Sequence, residues 1–469
     1  MSIVKPDNEV DGKDSRSIKH SSWIHNSYSI GGFLDNFLTG AFTVRVIGFY
    51  EDEVLLPIIL VGIAYVIYGF WNMINDPLAG FISDRPTRFT RRWGRRFPWF
   101  IVSAIPCAII YFLIFTVPPG NVIILFFWLL IMLCLFDLFF SFWTINWNAI
   151  YPDKFRSNKE RTRVAGLYTI WGMVGLALGM LLPPMFITYG DQSSYVNAAL
   201  LVMVISVLCV LLMIPAMRED KEIIDRVLRV SVEDQEEQLF LKTLKTGVKQ
   251  KNFMAFLIVY LAQMVLTVLM LSSFYYWVRY ILNMEAETEI FLSAAFLIGG
   301  MLSVPLWVKM GRKFGNKKAI TIGAGLTTLL FIPFLFVSTL ALTILSAILL
   351  GIGVGAIWTL RVPAFSDVID EIVTKTKVRN EGIYYGIMTF FGRLSIIIGA
   401  VTIAIVHELT NYSPGAEMQT PMALWGIRVI IALVPMIFYF IGFLVIWKIY
   451  DLNVDKVNKV QKELKELNL

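Results

Sequence analysis

Asp35, Arg45, Asp76, Asp137, Arg361, Asp367 and Arg393 each fall within or at the end of a long apolar stretch. A charge placed in hydrocarbon is costly, so each is expected to face a water-filled cavity or an opposite charge. Asn72 and Asp76 are one helical turn apart and share a face, with Asn75 beside them. A carboxylate next to neutral oxygen donors can hold a hard cation such as Na⁺ or accept a proton. Asp76 and Arg393 are therefore read as functional. Asp137 and Arg45 are read as partners in interhelical ion pairs that hold a bundle together.

Catalytic chemistry finds no comparable support. The histidines, His20, His25 and His407, lie at or beyond the edges of the apolar stretches. No paired metal ligands, G-x-S-x-G turn or phosphate loop stands in a membrane-facing context. Cys107, Cys134 and Cys209 have neither metal nor disulfide spacing and read as packing residues. No catalytic residue, cofactor or metal is expected beyond a transported Na⁺ or H⁺.

The elements that must position these residues are membrane spans. The chain is 57% hydrophobic and only 16% charged, against about 25% charged in soluble domains. Its mean hydropathy is +0.67. Apolar segments of spanning length (about 20 residues) lie near 28–50, 54–83, 98–118, 121–150, 164–189 and 195–216. They resume near 253–281, 288–309, 318–337, 340–368, 381–407 and 423–449. The expected fold is an all-α membrane protein of twelve transmembrane helices in two pseudo-symmetric six-helix bundles, 28–216 and 253–449. Flanking them are an N-terminal tail (1–27), a linker (217–252) and a C-terminal tail (450–469). Ile223, Ile224, Val227 and Leu228 give the linker an amphipathic helix. Val454, Val457, Val460, Leu464 and Leu467 do the same for the tail.

Charge alternates between successive connections. One set carries Arg85, Arg88, Arg91, Arg92, Arg95 and Arg96, then Lys154, Arg156, Lys159, Arg161 and Arg163, then Lys309, Arg312, Lys313, Lys317 and Lys318. The other carries Glu51, Asp52 and Glu53, then Asp191, then His407, Glu408 and Glu417, with Arg279 the exception. This bias places both termini and the linker in the cytoplasm of a multi-pass plasma-membrane protein. The net charge of +6 is read as this topology signal, not as a nucleic-acid surface. The two halves also repeat weakly. Pro77-Leu78 leads into Arg91-Arg92-Trp93-Gly94-Arg95-Arg96, and Pro305-Leu306 into Gly311-Arg312-Lys313-Phe314-Gly315-Asn316-Lys317-Lys318.

The stretch from Asn75-Asp76-Pro77 to Asp84-Arg85, with Arg92-Trp93-Gly94-Arg95-Arg96-Phe97-Pro98-Trp99, resembles a signature of the glycoside–pentoside–hexuronide:cation symporters. This is the melibiose-permease-like group of the major facilitator superfamily. Ala149-Ile150-Tyr151-Pro152-Asp153 with Glu160-Arg161-Thr162-Arg163 is similar to the group's motif after its fourth helix. Tyr275 to Tyr280 resembles the end of its seventh helix, and Arg379-Asn380-Glu381-Gly382-Ile383-Tyr384 the start of its eleventh. The resemblance covers about residues 25–450. It implies a secondary transporter working by alternating access, with a central site between the bundles. Cation or proton coupling then falls on Asn72, Asp76 and Thr144. Substrate binding falls on Asp35, Asn36, Trp147, Asn148, Thr169 and Arg393. A cytoplasmic gate falls on Asp84, Arg85, Arg92, Arg95, Arg96, Asp153, Arg161 and Asp367.

Several positions depart from that pattern. Asn72, Thr144, Asn36 and Thr169 stand where melibiose permease has charged residues. Trp71, Trp143 and Trp147, with Asn36, Asn72, Asn146 and Asn148, suit a polyol ring: flat apolar faces beside groups that both donate and accept. The expected cargo is a sugar or glycoside carried with Na⁺ or H⁺. The alternative is a lysophospholipid or other amphipathic solute on the same fold. Less favoured are a non-transporting sensor and a membrane-embedded enzyme. Expected partners are the solute and membrane lipids, with no nucleic acid, and the chain is expected to be a monomer.

Overall fold

The computed structural model describes residues 20–84, 90–155, 157–221, 224, 247, 249–377 and 381–466, and every element among them is helical. The helices are α1 (Ser22–Gly48), α2 (Ile58–Asp84), α3 (Thr90–Trp93), α4 (Phe97–Phe115), α5 (Val122–Lys154), α6 (Asn158–Leu181) and α7 (Gln192–Met217). They continue as α8 (Lys251–Tyr276), α9 (Glu289–Leu330), α10 (Leu340–Thr376), α11 (Glu381–Leu409), α12 (Pro421–Arg428), α13 (Val434–Lys448) and α14 (Val454–Glu466). Polar side chains set several starts by accepting an otherwise unpaired backbone N–H. Ser21 accepts from Ile24, Asn121 from Ile123 and Ile124, Ser157 from Glu160, and Thr420 from Ala423.

Ten helical stretches among the described residues are long and apolar enough to cross a bilayer. α5, at 33 residues, extends over about 50 Å, well beyond the ~30 Å hydrocarbon core, as its length in sequence requires. Outward positions such as Val102, Ile123, Leu208 and Leu302 are exposed and apolar, the pattern of a surface that meets lipid. The basic segment at 309–318 contains a kink at Gly315 (φ 82°, ψ 157°), where the backbone leaves helical geometry and α9 divides into two helices. Of the expected linker helix, Ile223, Val227 and Leu228 lie outside the described residues, while Ile224 is buried.

α1, α2, α4, α5, α6 and α7 pack among themselves, as do α8, α9, α10, α11 and α13. The two groups meet where α1 runs along α8, α2 along α11 and α6 along α9. The sequence repeat has backbone counterparts. α1 ends in a π-turn at Phe49–Glu53 and α8 in one at Trp277–Ile281. Left-handed residues follow both, Leu55 (φ 58°) and Asn283 (φ 52°). The same interval in sequence separates these pairs and Pro77 from Pro305. Gly94 (φ 86°) and Gly315 (φ 82°) take the matching left-handed bends after α2 and within α9, a region disfavoured for side chains bearing a Cβ. α14 closes the chain against α10 and α9, burying Val460 and Leu464. Leu467 lies outside the described residues.

Candidate functional site

The polar face of α2 is the centre of the site. Asn72 and Asn75 are fully buried, and both point amide N–H groups at Asp137 of α5. Asn75 Nδ2 donates to Asp137 Oδ2 at 3.0 Å, to the Asp137 carbonyl at 2.9 Å and to Ser141 Oγ at 3.0 Å. Asn72 Nδ2 donates to Asp137 Oδ1, and the Ser141 hydroxyl donates to Asp76 Oδ1. Arg393 of α11 completes the cluster from the other half, its Nη2 2.8 Å from Asp76 Oδ2. Helical periodicity explains the assembly. Asn72, Asn75 and Asp76 share one face of α2, and Asp137 and Ser141, one turn apart, share the facing side of α5.

Charge in this cluster is unbalanced. Asp137 is only 3% exposed and its described partners are neutral amides. Arg393 is committed to Asp76, so one described guanidinium stands with the two carboxylates of Asp76 and Asp137 in this cluster. Asn72 and Asn75 also keep buried carbonyl oxygens with no hydrogen-bond partner. Carboxylate, amide and hydroxyl oxygens together make a donor set for a hard monovalent cation. The Asp76–Arg393 pair is about one-third exposed (36% and 35%), so it is open to solvent and not sealed in packing.

The other residues expected for coupling and substrate binding have different commitments. Thr144 bonds back to the carbonyls of Phe140 (2.8 Å) and Ser141 (3.2 Å) on its own helix. Asn36 donates to the Gly32 carbonyl at 2.9 Å, Asn148 to Thr144 at 3.0 Å and Thr169 to Ala165 at 2.9 Å. Asn148 and Thr169 are exposed, whereas Asp35 and Asn36 are half-buried. Trp147 is 1% exposed: its ring packs over Gly31 and stacks on Tyr28 (5.4 Å), and its N–H meets the Tyr28 carbonyl at 3.1 Å. In this structure that tryptophan builds the α1–α5 contact.

The residues assigned to a gate gather at the end of the bundle that carries the basic turns. Asp84 is the last residue of α2, and Arg85 lies outside the described residues. Arg92 is exposed and stacks over Trp93 at 5.4 Å, and Arg95 is half-buried. Arg96 is buried, its Nη1 3.4 Å from both Ser83 and Asn146, and its backbone N–H meets Glu219. Arg161 caps the carbonyls of Phe155 (2.6 Å) and Pro152 (3.0 Å), next to half-buried Asp153. Asp367 accepts from Asn316 at 2.7 Å. Nearby, Glu160 is held by His25 (2.7 Å) and His20 (3.1 Å), and Glu371 by Asn252 and Lys456 (2.8 Å).

Sequence reasoning did not place Asp137 or Ser141 in the site and left Asn75 as a bystander. The i,i+4 spacing of Asp137 and Ser141 matches that of Asn72 and Asp76 and was the available signal. Arg45, read as an ion-pair partner, does pair with Glu289 of α9 at 3.0 Å, both buried. Asp137 was read the same way, but its described hydrogen-bond partners are amides.

The model of the MFS/sugar transport protein family matches residues 27–454. The sodium-dependent lysophosphatidylcholine symporter 1-A of Danio rerio is 24% identical, with 85% of this chain and 79% of that protein covered. The glucuronide carrier protein homolog of Escherichia coli (strain K12) is 23% identical over 93% of this chain and 96% of its own length. Among solved structures, a point mutant of the nucleoside transporter NupG superposes with a TM-score of 0.66 at 14% identity, covering 91% of this chain and 100% of that one. The chain belongs to the MFS/sugar transport family, in the symporter group its motifs resemble. It is an integral, multi-pass membrane protein of a transporter family, not of an enzyme family.

Proposed function

We propose that this member of the family is a cation-coupled symporter carrying a sugar or glycoside by alternating access, with its site between the two halves. The observation that carries this reading is the Asp76–Arg393 pair joining α2 to α11, backed by Asp137. A cluster with more carboxylates than guanidinium groups gains from taking up Na⁺ or H⁺. Because its members come from both halves, the charge state of the cluster affects how the halves sit together. Asn72, Asn75, Asp76, Asp137 and Ser141 are the cation donors in this scheme, with Thr144 one turn beyond. Asp35, Asn36, Asn148 and Thr169 face the solute with Arg393.

The same reading takes twelve crossings. Ala286–Leu335, at 50 residues, is long enough for two and divides at Gly315, and α1 adds one more to the ten. The end bearing Glu51–Glu53 faces outward, and the arginine-rich end, both termini and the linker face the cytoplasm. Residues 28–216 and 253–449 act as the moving bundles of a plasma-membrane monomer.

A lysophospholipid cargo is the second reading, favoured by one feature. An open groove of about 390 Å³ runs between α2 and α11, lined by Ile59, Ile63, Val66, Val401, Ile405 and Leu409. Such a surface between the halves suits an acyl chain. The deciding experiment is a thermal-shift screen of the purified chain against sugars, glycosides, uronic acids and lysophospholipids, with Na⁺, with Li⁺, and with neither at two pH values. A ligand that binds the native state raises the melting temperature. A sugar response enhanced by Na⁺ or acid supports the first reading. A response confined to lysolipids replaces it with the second. No response to any cation removes coupling from both.

A further inference from the structure

Arg279 stands alone as a cation among the acidic connections, an exception that topology does not explain. Its surroundings do. The π-turn after α1 drives Glu51, Asp52 and Glu53 into the interior, at 0%, 3% and 7% exposure. Three consecutive buried carboxylates need partners, since each carries a heavy desolvation cost, and most of their partners come from the other half. Glu51 receives Tyr276 OH at 2.6 Å and faces His407 Nδ1 at 2.8 Å. Asp52 receives Tyr280 OH (3.0 Å), Tyr412 OH (2.9 Å) and the Gly415 N–H (3.1 Å). Glu53 receives Tyr275 OH at 3.3 Å, and from its own half Tyr195 OH (3.2 Å) and the Gly190 N–H (3.0 Å). Arg279 Nη1 lies 2.5 Å from Glu53 and 3.6 Å from Asp52. The guanidinium is enclosed by the rings of Tyr189 (5.0 Å), Tyr280 (5.3 Å) and Tyr275 (5.8 Å), a cation–π cage.

A second tie lies in the same region: Arg45 to Glu289 at 3.0 Å, with Tyr189 OH on Glu289 at 2.9 Å. At the opposite end, the bonds described for Glu160, Asp367 and Glu371 each stay within their own half. Leu55, just past the acidic turn, holds a left-handed backbone (φ 58°). Non-glycine residues persist there only when their surroundings enforce it.

We propose that Arg279 and the Glu51–Asp52–Glu53 turn form an outer latch that closes the two halves on the external side and sets the balance between access states. The proposal rests on the transporter reading for its orientation. Arg279 touches no solute in this scheme; it is a positioning residue whose charge makes burial of the acidic turn tolerable. Without it, Asp52 and Glu53 are left in the closed interface without a cation, and separation of the halves becomes the way to rehydrate them.

The test is a distance measurement across the external rim. Spin labels go on Pro119→Cys and Thr339→Cys in a full-length chain whose Cys107, Cys134 and Cys209 are changed to serine. The parent is expected to show mainly the short distance. Arg279→Gln is expected to shift the distribution to a second, longer population. Adding Asp52→Asn and Glu53→Gln to that variant is expected to return part of it to the short distance, a rescue that a merely structural arginine would not give. Glu51→Gln supplies an independent probe if Arg279→Gln does not fold. A folded Arg279→Gln or Glu51→Gln protein with the parental distribution overturns the latch. The readout needs neither solute nor cation, so it can fail while the symporter reading stands, and the thermal-shift screen can fail while the latch stands.

Discussion

Arg393 of α11 holds Asp76 of α2 at 2.8 Å across the interface between the halves, and it is the one described guanidinium on that carboxylate. In the proposed scheme this carboxylate exchanges partners, guanidinium for bound cation, as the halves move. Asp76→Asn keeps the size and a hydrogen-bonding group but removes the charge. Accumulation of substrate against its gradient should fall by about tenfold or more, a loss of ~1.4 kcal/mol or greater in coupling. The protein should still elute as a folded monodisperse species. The measurement is uptake into proteoliposomes under an imposed Na⁺ or pH gradient, and parental accumulation would make Asp76 structural.

Asp137 should prove as important as Asp76, although its position in the chain suggested a structural ion pair. It is buried, its described partners are the amides of Asn72 and Asn75, and those amides keep unpaired carbonyl oxygens. Asp137→Asn should raise the cation concentration needed for half-maximal thermal stabilisation by roughly tenfold, through the linkage of binding to unfolding. Melting curves taken across a Na⁺ series and a pH series give the number directly. An unchanged midpoint concentration would assign Asp137 to packing alone.

Most of the fold was legible because it follows from one strong pattern. Spans of about 20 apolar residues separated by charged connections leave few alternatives. The basic run at 309–318 flags the kink at Gly315, although helical backbone continues into that run from either side. The polar face of α2 was readable from Asn72 and Asp76 because i,i+4 spacing fixes a common face. Asp137 and Ser141 were not assigned, since one helix's spacing does not say which neighbour it faces. Trp147 shows the converse: a side chain fit for ring stacking is committed to Tyr28 and Gly31. The Glu51–Glu53 turn was read only as an acidic connection between spans, because nothing in its composition announces a π-turn that folds it inward.

Arg393 and Asp76 should also be coupled in stability. Arg393→Ala alone leaves Asp76 without its cation, and Asp76→Asn alone leaves the guanidinium without its partner. The double variant should cost less than the sum of the two. For groups in contact the difference lies at about 0.5–3 kcal/mol, and one-third exposure places this pair toward the lower end. A thermal double-mutant cycle measures it; additivity within error would mean the 2.8 Å contact contributes no net energy.

At the basic end, His20 ties the N-terminal segment to the exit of α7, with Nε2 3.2 Å from Asp220 and Nδ1 3.1 Å from Glu160. The hydrogen bond to Asp220, reinforced by that carboxylate's charge and by Glu160, raises the His20 pKa above 6.5 against the opposing effect of burial. The Asp220 carboxyl is in turn held below its ordinary 3.8 by the His20 hydrogen bond, against its own burial. A histidine with a raised folded-state pKa contributes stability that is complete below pH 6.5 and is lost as pH rises through the folded value. The aspartate's contribution is present above pH 3.8 and is lost only in stronger acid. The tie is therefore strongest between those two values and weakens toward alkaline pH. His20→Gln should lower the melting temperature at pH 6 more than at pH 8.5, and Asp220→Asn should show the same pH trend. Equal losses at the two pH values would mean that His20 acts there as a neutral hydrogen-bonding group.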